Sequence, residues 1–114
     1  MSSASRKKYH EELTRKLHVK APDEKLYFVA EELLSARKSC AEEEEKKEIS
    51  NELQRVEGIL WERHRQLKFW IATLIKKKGS QNEIKAFIER KRKCLATINQ
   101  IRESLGKDPY GYSS

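Results

Sequence analysis

The chain has 114 residues, of which 37% are hydrophobic, 38% charged and 8% aromatic, with a formal net charge of +7. So little apolar material beside so much charge suits helices joined through narrow stripes and argues against a large catalytic cavity. No run approaches the roughly eighteen apolar residues that span a bilayer, and the opening MSSASRKKYHEELTRK lacks the apolar centre of a secretory leader. The expected setting is therefore cytoplasmic or nuclear.

The charge is sorted along the chain. Residues 1–20 hold six basic and two acidic groups, a net of +4, and residues 21–62 hold six basic and twelve acidic, a net of −6. Residues 63–93 then carry eleven basic and two acidic groups, a net of +9, while residues 94–114 balance two against two. An acidic stretch thus precedes a basic one.

Taken in order, Tyr9, Leu13 and Leu17 give residues 4–18 a short apolar stripe at i, i+4, i+8, enough for a helix that docks on others. Pro22 ends it and suits the first position of a new helix, with Asp23 and Glu24 where the dipole favours acids. Leu26, Val29, Ala30, Leu33, Ala36 and Cys40 keep helical spacing, which predicts a helix over residues 22–45. A second stripe of Ile49, Leu53, Val56, Leu60, Leu67, Trp70 or Ile71, and Leu74, interrupted by Arg63, alternates steps of three and four as a coiled coil does. It predicts a helix over residues 48–78. Cys40 and Ile49 are nine positions apart, which puts the two stripes on opposite sides of one rod, so a bend or loosened turn is expected in EEEEKKE, residues 42–48.

At the far end Lys76, Lys77 and Lys78 suit a helix C-terminus, and Gly79 is expected to take the left-handed angle that stops it. Ser80 to Glu83 reads as a capping box opening a helix over residues 80–105. Its stripe of Ile84, Phe87 or Ile88, Cys94 or Leu95, Ile98, Ile101 and Leu105 matches the preceding one, and Gly106 offers a stop. The turn KKKGSQNEIKAFI resembles the WHEP helix-turn-helix of some aminoacyl-tRNA synthetases at Glu83, Ile84, Ala86 and Ile88 only, too few positions to imply membership.

The expected fold is all-α: an antiparallel helical hairpin or coiled-coil-like three-helix bundle with a short N-terminal helix, one domain over residues 1–105. Residues 106–114 read as a flexible tail, in which Asp108 to Gly111 suits a β-turn. Trp61 and Trp70 read as core.

No catalytic, metal or cofactor motif is present. His10, His18 and His64 lack the spacing of a helical metal site, Glu42 to Glu45 lack that of a calcium loop, and Cys40 and Cys94 fall at core positions, as reduced buried thiols do. No enzyme activity, cofactor, metal or small-molecule substrate is expected. Two candidate surfaces remain. One is a stripe of Leu26, Val29, Leu33 and Cys40 left over for a protein partner or a second copy of the chain. The other is a basic patch of Arg63, Arg65, Lys68, Lys76, Lys77, Lys78, Lys85, Arg90, Lys91, Arg92 and Lys93, brought together by the hairpin and attractive to polyanions. The expected function is a non-enzymatic helical protein–protein interaction module, an adaptor or scaffold subunit of a larger intracellular complex. The alternative is an RNA- or DNA-binding hairpin using that patch.

Overall fold

The computed structural model describes residues 20–111, and the expected helix of residues 4–18 lies outside them. Three helices follow in chain order: α1 (Asp23–Ser39), α2 (Glu43–Lys76) and α3 (Gln81–Ser104). The fold is the expected all-α bundle, with α2 and α3 forming the hairpin and α1 packed against both. At 1.5 Å per residue α2 alone is about 51 Å long, while α1 is half that length. The third helix therefore covers only part of the hairpin.

Pro22 stands just before α1 with φ −60° and ψ 150°, and its carbonyl accepts from Lys25 and Leu26 at 3.1 and 3.2 Å. Asp23 and Glu24 fill the first turn as the dipole prefers. The break between the first two helices comes earlier than expected, at Cys40 to Glu42, where both ends are extended. Its cause is the glutamate run. Glu43, Glu44 and Glu45 lie in the first turn of α2, where a positive helix end welcomes them, rather than in the last turn of α1, where a negative end would repel them. Arg37 ties this end of the bundle, donating to the hydroxyls of Ser50 at 2.9 Å and Ser104 at 3.3 Å.

The turn between α2 and α3 also departs from expectation by one residue. Lys78, not Gly79, takes the left-handed angle, with φ 54°. Gly79 follows with its amide on the Leu74 carbonyl at 2.8 Å, while the Lys78 amide meets Ile75 at 3.2 Å, the two bonds of a Schellman stop. Space is tight at Gly79, where a Cβ would lie 3.1 Å from Leu74 Cδ2 and 3.3 Å from its carbonyl oxygen, so a larger residue would make Leu74 give by a few tenths of an ångström. The Ser80 hydroxyl accepts from the Asn82 amide at 3.2 Å, one residue earlier than the box pattern implies. The stop of α3 repeats the Schellman pattern with a glycine in the strained position, Gly106 at φ 76°.

The core runs through Leu26, Val29, Ala30 and Leu33 of α1, Ile49, Leu53, Val56, Leu60 and Leu67 of α2, and Cys94, Ile98 and Ile101 of α3. It ends near Leu67. Cys40 and Cys94 are both buried and free, Cys94 donating to the Leu60 carbonyl at 3.0 Å while burial pushes its thiol up to about 12.

The described part of the tail, through Gly111, packs back against the bundle. Asn99 grips the Tyr110 backbone at both its carbonyl (2.9 Å) and amide (2.8 Å), and Arg102 donates to the Asp108 carbonyl at 2.7 Å. Tyr110 stacks on Trp61 at 4.7 Å, and Trp61 stacks in turn on His64 at 5.0 Å. Arg102 also lies over the Tyr110 ring at 4.1 Å and pairs with Glu57 at 3.2 Å, so one guanidinium joins tail, α2 and α3.

Candidate interaction surface

The stripe proposed from sequence for a partner is consumed within the chain. Leu26, Val29, Leu33 and Cys40 are all buried, packed against α2 and α3, and none is left for another protein. The hairpin alone is too thin to seal its seam, so α1 takes up that face itself.

The basic patch is gathered but divided. Arg63 points inward from α2, donating to the Asp23 carboxylate and to the Ala21 carbonyl, and is buried. Arg90 reaches the same carboxylate from α3 at 2.8 Å. One acid of α1 thus clamps a cation from each arm of the hairpin. Burial alone would push the Asp23 carboxyl up, but hydrogen bonds from Arg90 and Arg63 and their charges outweigh it and hold the group below its ordinary 3.8. The same bond with Asp23 raises Arg90. Neither arginine is a free surface cation.

Arg92 pairs with Glu89 at 2.9 Å, Arg65 lies 3.7 Å from Glu62, and Lys93 sits 4.9 Å over the Tyr27 ring. Lys68 and Lys91 flank the other side, near enough to His64 that, after burial, their charges help hold its imidazole below the ordinary 6.5. Lys76, Lys77, Lys78 and Lys85 are exposed around the tip. The hairpin therefore brings most of the predicted cations into one half of the molecule, on different faces, with Arg63 withdrawn from solvent.

Among the described residues, only α2 and α3 extend beyond the start of α1, as a two-helix arm. Phe69 is 66% exposed, Trp70 52% and Ile75 59%, and Ile88 of α3 is exposed as well. Trp70 is thus not core, because the heptad step after Leu67 is taken by Ile71, which with Leu74 is partly buried. Phe69 and Trp70 meet edge to face at 5.9 Å. Between arm and α1 lies an open groove of about 720 Å³, with Leu67, Trp70 and Phe87 in its lining together with Lys20, Asp23, Glu24 and Arg90.

Three features were missed from sequence. Asp23 was read only as a helix-start acid, although Arg63 standing in an apolar stripe was itself the signal that a buried carboxylate must meet it. Asn99, a polar residue among buried neighbours, and His64, whose Nε2 is buried with no hydrogen-bond partner, carried no comparable signal. Among the described residues no group of His, Cys, Asp and Glu has the arrangement to hold a metal, and no helix is long and apolar enough to cross a membrane. Comparison with protein families, curated proteins and solved structures found no match to this chain.

Proposed function

We propose that this chain is a non-enzymatic helical interaction module, a subunit that offers its projecting arm to a protein partner within a larger intracellular assembly. The observation that carries this reading is the stretch KFWIATLI, residues 68–75. At about 100° per residue, Phe69, Trp70, Ile71, Leu74 and Ile75 spread over about 240° of the circumference of α2. An apolar arc that wide is more than one neighbouring helix covers, and among the described residues α3 meets only one side here, leaving Phe69, Trp70 and Ile75 more than half exposed. Burying those three side chains on a partner would supply roughly 1.5–3 kcal/mol each before the cost of association. The surrounding cations select an acidic partner and set its orientation.

A second reading, RNA or DNA binding, is supported by Phe69, an exposed ring with Arg65, Lys68 and Lys76 on nearby positions of α2, an arrangement able to stack a base and hold its phosphates. It is weakened by the engagement of Arg63 and Arg90 with Asp23.

Replacing Phe69 with a photoreactive benzoylphenylalanine in the full chain, and irradiating it in an extract of the cells that make it, separates the two. The protein reading expects adducts that resist nuclease and survive high salt. Nuclease-sensitive adducts that vanish as salt rises would transfer the arm to nucleic acid, and the same probe at positions 70 and 75 yielding no adduct at all would refute both.

A further inference from the structure

Asn99 and Arg102, one turn apart on α3, and Trp61 on α2 hold Asp108 to Gly111 as a receptor holds a peptide. Asn99 is only 5% exposed, and both polar atoms of its side chain engage one residue of the tail. Its Nδ2 donates to the Tyr110 carbonyl at 2.9 Å and its Oδ1 accepts from the Tyr110 amide at 2.8 Å. That pair of bonds is what a neighbouring strand offers an extended residue, and it reads backbone whatever the side chain. Arg102 Nε donates to the Asp108 carbonyl, two residues earlier, at 2.7 Å. Selection of the side chain comes from the ring. It stacks on Trp61 at 4.7 Å, has the Arg102 guanidinium over it at 4.1 Å, and places its hydroxyl 3.2 Å from Arg102 Nη1. The segment itself lies on the surface. Residues 107–111 are all exposed and none belongs to the core. Its link to α3 is short: the helix stops at Gly106, φ 76°, and the Lys107 amide is tied to the Arg102 carbonyl at 2.8 Å. Opening that turn frees the segment without disturbing α1, α2 or α3.

We propose that Trp61, Asn99 and Arg102 form a binding site for an extended, tyrosine-bearing peptide, filled within one chain by its own tail and able to take the Asp-Pro-Tyr-Gly segment of a second copy instead. The site uses no residue of the arm and stands independently of the arm's partner. A second copy presents, residue for residue, the segment whose fit is on view. Closed and exchanged forms therefore make the same contacts and differ only in the turn at Gly106 and in the cost of association. The tether decides between them. A short tether holds its ligand at an effective concentration of about a millimolar, and because the tail is docked in the single chain, the Kd for the same segment offered in trans lies at or below that value. Dilute chains keep their own tails, and exchange takes over where copies are crowded together or held side by side on a common partner.

The test mixes two full-length variants, each broken in one half of the contact. Tyr110→Pro removes the ring and the amide hydrogen together and leaves the site empty, while Asn99→Ala breaks the site and frees an intact tail. With an isotopic label in the Tyr110→Pro chain alone, the Asn99 side-chain amide and the Trp61 indole N–H report on the site in two-dimensional NMR spectra, and circular dichroism matching wild type verifies its fold. Adding unlabelled Asn99→Ala chain should return both signals to their wild-type positions with a Kd at or below about 1 mM. A capped Asp-Pro-Tyr-Gly peptide should do the same, and a donor chain carrying both Asn99→Ala and Tyr110→Ala should bind at least about tenfold more weakly, having lost the ring. Signals unmoved by about 3 mM of peptide and of donor chain would overturn the site. Movement with the peptide but not with the donor chain would refute the second copy as its source, and equal movement with the tyrosine-free donor would assign the contact to another surface and overturn the proposal.

Discussion

Replacing Asp23 with asparagine removes the one carboxylate that α1 extends to both hairpin helices. Asp23 and Arg63 side chains are 11% and 10% exposed, close to the fully buried limit in which breaking a pair costs about 3–5 kcal/mol. Arg90 is 44% exposed, so after solvent screening its share adds only about 0.5 kcal/mol. The asparagine oxygen still accepts one bond and Arg63 keeps the Ala21 carbonyl, which returns part of the loss. A net destabilisation of about 2–3 kcal/mol follows. With a urea dependence of about 1.5 kcal/mol per molar for a small domain, the unfolding midpoint should fall by about 1.5–2 M. The double variant Asp23→Leu with Arg63→Met should recover much of that, because it removes both buried charges together. The folded carboxyl lies below 3.8, so its stabilisation is complete above that pH and is lost as pH falls through the folded value, closing the gap between wild type and Asp23→Asn in acid. An Asp23→Asn midpoint within about 0.5 M of wild type at neutral pH would refute the clamp.

Four further outcomes are open to measurement. His64 is held below its ordinary 6.5, so the unfolded chain takes up its proton first; thermal melts should show stability constant above that pH and falling below it, by at most about 1.4 kcal/mol per pH unit, and His64→Gln should flatten the profile. Cys94, with its thiol pushed up to about 12, should resist a neutral-pH thiol reagent in the folded protein and react at once in urea. Lys78→Gly should raise stability by about 1 kcal/mol in urea titration, since a side chain now holds the left-handed angle that glycine adopts freely. Leu33→Ala should cost about 2–5 kcal/mol and leave binding to the arm unchanged, because Leu33 is core.

Much of the fold was legible because the stripes of α2 and α3 are long, regular and joined at a Gly-Ser stop. The site was less so, and particular residues show why. The step after Leu67 fits Trp70 or Ile71 equally, and only the third dimension decides which faces α3. The stripe of α1 looks the same whether it is destined for a partner or for its own hairpin; the decision belongs to the length of α1 relative to α2, which periodicity does not encode. Nor does a Tyr-Gly tail announce that an asparagine eleven residues earlier will hold its backbone by both polar groups. The glutamate run was misplaced by a few positions because its repulsion and its attraction act at opposite helix ends, and spacing alone does not reveal which end is near.

The grip of Asp23 on Arg63 and Arg90 also fixes the height at which the third layer of the bundle begins. Moving that acid by one turn along α1 would slide the rim by about 5.4 Å, lengthening or shortening the open valley without altering any residue of the hairpin. The open length of the groove is thus set by an acid that lines it from α1, while the hairpin beneath stays the same.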